Sequence, residues 1–293
     1  MSVERFTSYD WPAPAKINLF LHIVGRRPDG YHLLQTVFQF LDFGDTLHFT
    51  VRPDGAISRR GSLPGVAPEA DLTVRAAHAL QRASGVSLGV DIDTVKRIPL
   101  GGGLGGGSSD AATTLVALNR LWGVDWDDAR LCEIGVALGA DVPVFVRGHA
   151  AWAEGVGEKL APLNDLPEPW YVVVTPPCQV PTGEIFAAPD LTRNVAPIKI
   201  RRFLDGAGIN VCVPVVRKRY PLVAQALDWL SQHGDARMSG TGASVFVAAA
   251  NEADARHVLA ELPSGWQGFA AQGMNRSRLL YRLDQCAATG ERV

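Results

Sequence analysis

The stretch Pro99-Leu100-Gly101-Gly102-Gly103-Leu104-Gly105-Gly106-Gly107-Ser108-Ser109-Asp110 constrains this chain more than any other. A glycine run leaves backbone N–H groups uncovered and free to take positive φ, so it folds as a loop able to wrap phosphate oxygens. The dipole of a following helix adds attraction for an anion. Such a helix is well marked here: Ser108 and Ser109 suit a cap, Asp110 suits the first turn, and Ala111, Leu115, Leu118 and Trp122 recur at helical spacing. A flexible linker would have neither the apolar lead-in Ile98-Pro99-Leu100 nor the amphipathic helix that follows.

Two common phosphate loops fit less well. A Walker A loop ends Gly-Lys-Ser/Thr, and this one ends Gly107-Ser108-Ser109. The span 101–106 satisfies Gly-x-Gly-x-x-Gly, but a dinucleotide fold also needs a buried parallel strand before it and an acid ending a second strand after it. The preceding segment alternates, Val86, Leu88, Val90 and Ile92 against Ser87, Gly89, Asp91 and Asp93, as a half-exposed antiparallel strand would. The acid at the right distance, Asp125, follows Leu121-Trp122-Gly123, which resembles a helix end.

A net charge of −2 over 293 residues gives no general attraction for nucleic acid or anionic membranes, so a polyanion must be captured locally. With 47% hydrophobic residues the chain can fill one large core or two modest ones. No apolar run reaches the roughly 18–20 residues of a membrane span, and Met1-Ser2-Val3-Glu4-Arg5 begins no signal peptide, so a cytoplasmic protein is expected. Cys132, Cys178, Cys212 and Cys286 lack metal-site or CxxC spacing and are expected as buried thiols.

Along the chain, 15–24 alternates as a strand with Ile17, Leu19, Leu21 and Ile23 on one face and Lys16, Asn18 and His22 on the other. Pro28-Asp29-Gly30 predicts a turn that delivers Tyr31 and His32 into strands over 36–43 and 46–51. A Gly- and Pro-rich segment, 54–68, is expected as an exposed loop before a helix carrying Leu72, Ala76, Ala79 and Leu80. Beyond the glycine loop, a helix is predicted over 127–138 with Gly139 as its cap, then Asp141 and a strand or edge segment over 142–146. Three prolines in 160–169 mark a boundary, giving domains 1–162 and 163–293. The second half predicts strands at 170–175, 244–248 and 279–281, helices near Thr182, Pro197 and Pro221, and no internal repeat.

A second glycine loop, Met238-Ser239-Gly240-Thr241-Gly242-Ala243-Ser244, precedes an apolar strand. With Pro14-Ala15-Lys16-Ile17-Asn18-Leu19 and the loop at 99–109, it resembles in order and spacing the three motifs of the GHMP kinases. Arg27-Pro28-Asp29-Gly30-Tyr31-His32, Lys96-Arg97-Ile98-Pro99, Gly139-Ala140-Asp141-Val142-Pro143 and Leu191-Thr192-Arg193-Asn194 narrow the likeness to one branch of them. That branch phosphorylates the 2-hydroxyl of 4-diphosphocytidyl-2-C-methylerythritol, in the non-mevalonate route to isoprenoid precursors. The likeness runs from about Pro12 to Ser277.

The resemblance implies an α+β fold of two domains, an N-terminal ribosomal-protein-like α/β domain and a C-terminal ferredoxin-like one, with the site in the cleft between them. It implies ATP on Lys96, Pro99, Leu100, Gly101, Gly102, Gly103, Leu104, Gly105, Gly106, Gly107, Ser108 and Ser109, with magnesium as the nucleotide's counter-ion. No carboxylate is evident as a metal ligand, and Ser108 or Ser109 is the nearest guess. The partner is a small molecule carrying cytidine diphosphate, with no nucleic acid or membrane; the chain is a monomer or homodimer.

Transfer of a phosphoryl group to an alcohol needs a proton acceptor and a cation near the developing alkoxide. Asp141 suits the first role, against a turn aspartate bonding its own backbone; Lys16 suits the second, against a solvated strand lysine. Asn18 would place the substrate. By the resemblance, Tyr31 stacks on cytosine, His32 hydrogen-bonds it, and Gly240, Thr241 and Gly242 contact the acceptor. Phe186 is either the other wall of that slot or plain core, Thr182 a substrate contact or a helix cap, and Lys96 a nucleotide contact or an exposed strand lysine. Two departures stand out: Asp71 replaces an asparagine that assists adenine binding, and Asn210-Val211-Cys212-Val213 lacks two acids of the usual pattern. Neither touches Lys16, Asp141 or the glycine loop, so activity is expected to survive. Another GHMP alcohol kinase would lack the Tyr31-His32 signature, an oxidoreductase would bind nicotinamide or flavin, and a sensor would bind nucleotide without turnover.

Overall fold

The computed structural model describes residues 5–61, 63 and 65–289. The N-terminal segment 1–4 and two positions of the Gly/Pro-rich segment, 62 and 64, lie outside the described residues. In chain order the strands are β1 (Phe6–Arg26), β2 (His32–Arg52), β3 (Ile57–Arg59), β4 (Gly89–Val95), β5 (Ala151–Glu154), β6 (Lys159–Pro162), β7 (Trp170–Thr175), β8 (Arg237–Met238), β9 (Val245–Ala249) and β10 (Gln267–Met274). The helices are α1 (Leu72–Ser84), α2 (Gly106–Leu121), α3 (Asp128–Val136), α4 (Val142–Arg147), α5 (Thr182–Ala187), α6 (Ile200–Leu204), α7 (Val213–Arg219), α8 (Pro221–Leu230), α9 (Glu252–Ala260) and α10 (Arg278–Thr289).

The long β1–β2 hairpin is the frame. It turns at Pro28-Asp29-Gly30, where Gly30 takes φ +92°, and β2 then pairs with β4, β5 and β10. β10 also pairs with β7, so the strand is a splice that joins both halves of the chain into one sheet. One apolar core packs β1, β2 and β4 against α1 and α2, and takes Leu279 and Cys286 from α10. A second packs β7 and β9 against α5, α7 and α8. Helix α2 is buried all round, as its alanines, threonines and leucines allow, and this central position fixes the glycine loop at its N-terminus.

Several elements differ from expectation. The strands over 36–43 and 46–51 are one continuous β2. Residues 142–146 are helix α4, every one buried, with Pro143 tolerated in the first turn and Gly148 closing it in the left-handed region. A run buried on all sides has no period, so composition could not separate helix from strand. Residues 279–281 belong to α10. Helix α2 starts at Gly106, with left-handed Gly105 at its cap; Ser108 and Ser109 lie inside the first turn. Helix α3 ends at Val136, capped by Ala137 in place of Gly139. The 54–68 segment is not all loop, since β3 pairs in parallel with β4. Cys212 and Cys286 are buried, but Cys132 and Cys178 are only half-buried. Among the described residues no helix is long and apolar enough to cross a membrane.

Candidate active site

The cleft between the two halves has a volume of ≈1010 Å³, at the upper limit of the roughly 300–1,000 Å³ usual for one small ligand. Its floor is the β1–β2 hairpin. Lys16 pairs with Phe40 and Asn18 with Phe38, but β1 then takes three steps to Leu21 while β2 takes two to Thr36. This bulge inverts the alternation of β1. Leu21 therefore joins Lys16 and Asn18 in the cleft, and His22 is not on their face. His22 is buried behind the sheet, where its Nε2 accepts the Ile209 N–H at 3.3 Å and burial lowers its pKa.

Lys16 is buried and held from three sides. Its ammonium donates to Asn18 Oδ1 at 2.6 Å and to Gly103 O at 3.2 Å, and pairs with Asp141 Oδ2 at 3.2 Å. Asn18 Nδ2 donates in turn to Thr36 Oγ1 at 2.9 Å. Each end of the Asn18 amide thus has a partner inside the protein, so the side chain orients Lys16 while it also lines the cleft, where the sequence expects it to place substrate. Asp141 heads α4 and makes no capping bond to its backbone, which removes the turn-aspartate reading. Its carboxylate is one-third exposed, 33%, beside a lysine at 4%: a buried cation faces an accessible carboxylate.

The glycine loop closes the wall above them. Gly103 takes φ +74°, and a Cβ there would stand 2.3 Å from Ser239 O; at Gly105, φ +76°, it would meet the Phe145 ring at 2.7 Å. Only glycine fits either place. With Ser109 N bonded to Gly105 O as the first helical link, the N–H groups of 106–108 point out of the end of α2 toward the cleft. Ser108 lines the cleft, whereas Ser109 is fully buried and donates its hydroxyl to Pro14 O, so it is not brought to the site. Lys96 also lines it, and is no exposed strand lysine: its ammonium is clamped by Asp45 and by Asp110 Oδ2. Asp71 is spent elsewhere, accepting from Thr73 N at 2.8 Å to cap α1 and pairing with Arg59.

Across the cleft, Gly240 and Thr241 line the wall, while Gly242 does not. The Thr241 and Thr182 hydroxyls are hydrogen-bonded at 3.0 Å, joining the second glycine loop to α5. Asn210 holds this loop from behind, donating to Met238 O and Gly240 O at 2.8 and 2.7 Å, while its neighbours bond both sides of Leu21. At the far end, Phe186 stacks on His32 with ring centres 5.1 Å apart and planes 21° from parallel. Phe186 thus lines the cleft and faces His32 rather than Tyr31, which is 65% exposed at the rim. Arg193 Nε donates to His32 Nε2 at 3.0 Å, and burial, then Arg193 and Arg26, hold the His32 pKa below its ordinary value.

Two family descriptions match the chain: GHMP kinases N terminal domain over residues 71–149 and GHMP kinases C terminal over residues 198–268. The 4-diphosphocytidyl-2-C-methyl-D-erythritol kinase of Halorhodospira halophila is 57% identical over 282 residues, 96% of this chain and 98% of that protein. The chain belongs to the GHMP kinases. The kinase of the same name from Nitrosococcus oceani is 58% identical over 275 residues, 94% of this chain and 98% of its own. A crystal structure of 4-(cytidine 5'-diphospho)-2C-methyl-D-erythritol kinase superposes with a TM-score of 0.76 at 32% identity, covering 92% of this chain and 99% of the other. Homoserine kinase from Cytophaga hutchinsonii shares the fold at a TM-score of 0.64 and 15% identity, over 94% and 97% of the two chains.

GHMP kinases take ATP as phosphate donor, which excludes the oxidoreductase alternative. Four residues of this GHMP kinase site escaped the sequence: Asp45, Asp110 as a partner of Lys96, Asn210 as a brace, and Arg193. For Arg193 the signal was present, since it stands in Leu191-Thr192-Arg193-Asn194. For the others, partners 14 to 51 residues away in sequence left no local trace.

Proposed function

We propose that this GHMP kinase transfers the γ-phosphoryl group of ATP to the 2-hydroxyl of 4-diphosphocytidyl-2-C-methylerythritol, giving the 2-phosphate and ADP. The observation that carries the proposal is the Lys16–Asp141 pair at 3.2 Å, set in one cleft between the glycine loop and the His32–Phe186 stack. Names and lengths of the 4-diphosphocytidyl-2-C-methyl-D-erythritol kinases it resembles support the same acceptor.

In this reading the phosphates of ATP lie on the N–H groups at the start of α2, where the helix dipole favours anions. The acceptor hydroxyl sits against Asp141, whose carboxylate takes its proton as the oxygen attacks the γ-phosphorus in line and ADP leaves. Lys16, 3.2 Å from the Asp141 carboxylate, stabilises the alkoxide as it develops. Asn18 and Gly103 O fix the ammonium, so no reorganisation is needed during transfer. Among the described residues no group of three His, Cys, Asp or Glu side chains could hold a metal, and the Ser109 hydroxyl is bonded to Pro14 O. Magnesium would accompany the nucleotide as its counter-ion, part of the substrate, and Ser108 is the hydroxyl of the glycine loop that lines the cleft.

The test is ADP release over a panel of alcohols: the cytidine-diphosphate methylerythritol, free methylerythritol, homoserine and mevalonate. Turnover confined to the cytidine compound is expected. Turnover with homoserine or mevalonate and none with the cytidine compound would sink the assignment in favour of another GHMP alcohol kinase.

A further inference from the structure

One arginine behind the base end takes no part in the transfer chemistry, yet its side chain makes four hydrogen bonds. Arg193 Nε donates to His32 Nε2 at 3.0 Å, Nη1 to Leu191 O at 3.0 Å, and Nη2 to Phe186 O and Ala188 O at 2.8 and 2.5 Å. The carbonyls belong to the end of α5 and the turn after it, so the same guanidinium holds both the histidine and the backbone of the phenylalanine stacked on it.

A guanidinium has donors only. The imidazole nitrogen facing it must therefore offer a lone pair, and a neutral imidazole with a bare Nε2 carries its proton on Nδ1. Protonating Nε2 would turn N–H against N–H and place one cation beside another. Phe186 fixes the plane of the ring, so the imidazole escapes only by a flip within that plane, which forfeits the arginine contact, or by leaving the stack, which forfeits both contacts.

We propose that Arg193 is a specificity-determining positioning residue: it locks His32 as a neutral imidazole protonated on Nδ1, so that the base end donates to a pyrimidine with a bare N3 and rejects one with N3–H. The inference rests on the cytidine reading given under Proposed function. Cytosine presents adjacent acceptors at O2 and N3. Uracil carries a proton on N3, which would oppose the Nδ1–H donor to donor, and a site with a buried, misdirected polar group discriminates strongly. Without Arg193 the imidazole can move its proton to Nε2, baring a lone pair on Nδ1 that suits N3–H.

Nitrogen-15 spectra of the His32 imidazole in the full-length wild type, with no substrate present, test the tautomer directly. A bare Nε2 and a protonated Nδ1 are expected; a protonated Nε2 overturns the proposal. Steady-state kinetics of wild type, Arg193→Met and Arg193→Lys with the cytidine-diphosphate acceptor and its uridine-diphosphate analogue test the consequence. The lysine variant keeps the charge and loses the fork, and serves should the methionine variant fold poorly. The preference for cytidine should fall by about tenfold or more, through the KM of the cytidine acceptor, with KM for ATP unchanged. His32 should also titrate at higher pH in Arg193→Met than in wild type. An unchanged cytidine-to-uridine ratio in a folded variant, or a parallel rise in both KM values, overturns the specificity role. A wild type that shows the Nδ1 tautomer but phosphorylates neither nucleotide acceptor brings down the cytidine reading instead, and the two failures are thereby separate.

Discussion

The two ends of the cleft are built by different means. At the transfer end, Lys16 and Asn18 stand on consecutive inward positions of β1, Thr36 answers from β2, and Gly103 O closes the ring, so the cation is placed by the sheet itself. At the base end, Tyr31 and His32 stand where the β1–β2 hairpin turns, and Phe186 is on a helix of six residues; one arginine side chain ties His32 to the Phe186 backbone. The difference teaches where each kind of tolerance lies. Phosphoryl transfer punishes displacements of an ångström, and in the proposed reading its cation stands on the sheet while Asp141 heads α4, whose residues 142–146 are all buried. Recognition of a flat base needs only a plane and one donor, which a turn and a short helix can supply.

If that division is real, substitutions at the transfer end act on kcat and those at the base end on acceptor KM. Asp141→Asn is the sharpest test. It removes the proton acceptor while Lys16 keeps Asn18 Oδ1 and Gly103 O as partners. We expect kcat to fall about 10³-fold with ATP binding and the thermal midpoint nearly unchanged. A fall of less than about tenfold would reject Asp141 as base.

Backbone substitutions contrast the two ends next. Gly103→Ala would force a left-handed alanine whose Cβ lies 2.3 Å from Ser239 O, and Gly30→Ala a left-handed alanine whose Cβ meets only Arg26 Nη2 at 3.5 Å. The first should cost about 3 kcal/mol of stability and raise KM for ATP; the second about 1 kcal/mol, with KM for ATP unmoved. Urea unfolding and ATP kinetics on both variants give the comparison. Equal costs would mean that the glycine loop is more yielding than its contacts imply.

How much of this was legible in the sequence follows the same line. The phosphate loop, Lys16, Asp141 and the pair Tyr31-His32 are local strings whose chemistry is carried by their own residues. The phase of β1 was not legible: strict alternation puts His22 beside Asn18, and only the extra residue opposite β2 reveals Leu21 in its place. Strand β10, Gln267–Met274, has glycines and alanines where strand-formers are expected, because its partners on both sides supply the pairing. Arg193 finds backbone carbonyls for three of its four bonds, and carbonyls have no sequence signature. The Asp45–Lys96–Asp110 cluster joins a strand of the hairpin to the far ends of β4 and the loop, a juxtaposition made only by the fold.

Phe186→Ala asks whether the base end is separable. Removing one face of the slot should raise KM for the cytidine acceptor about tenfold, the worth of one base stack, and leave kcat and KM for ATP in place. Steady-state kinetics with each substrate varied in turn would show it. A loss carried in kcat would mean that the two ends are coupled through α5, where Thr182 is bonded to Thr241.

The smallest effects carry opposite signs at the two ends. Under the glycine loop, burial first and Asp45 with it push the Asp110 carboxyl up to about 7, against the pull of Lys96. From its ordinary pKa of about 4 up to that value, the folded protein holds a proton that the unfolded chain has released. The stability it contributes is complete below the ordinary value and is lost as pH rises through about 7. His32 behaves the other way: burial and two arginines lower its pKa, so between that lowered value and the ordinary one, about 6.5, the unfolded chain binds the extra proton and stability rises with pH. The carboxyls of Asp42, Asp54 and Asp91 are held below their ordinary range, so they act only under pH 4 or so, outside this window. Urea midpoints measured from about pH 4.5 to 7 should therefore climb more steeply in Asp110→Asn than in wild type, and less steeply in His32→Gln. Slopes that move together in the two variants would show that one proton inventory serves both ends and that the division does not extend to their electrostatics.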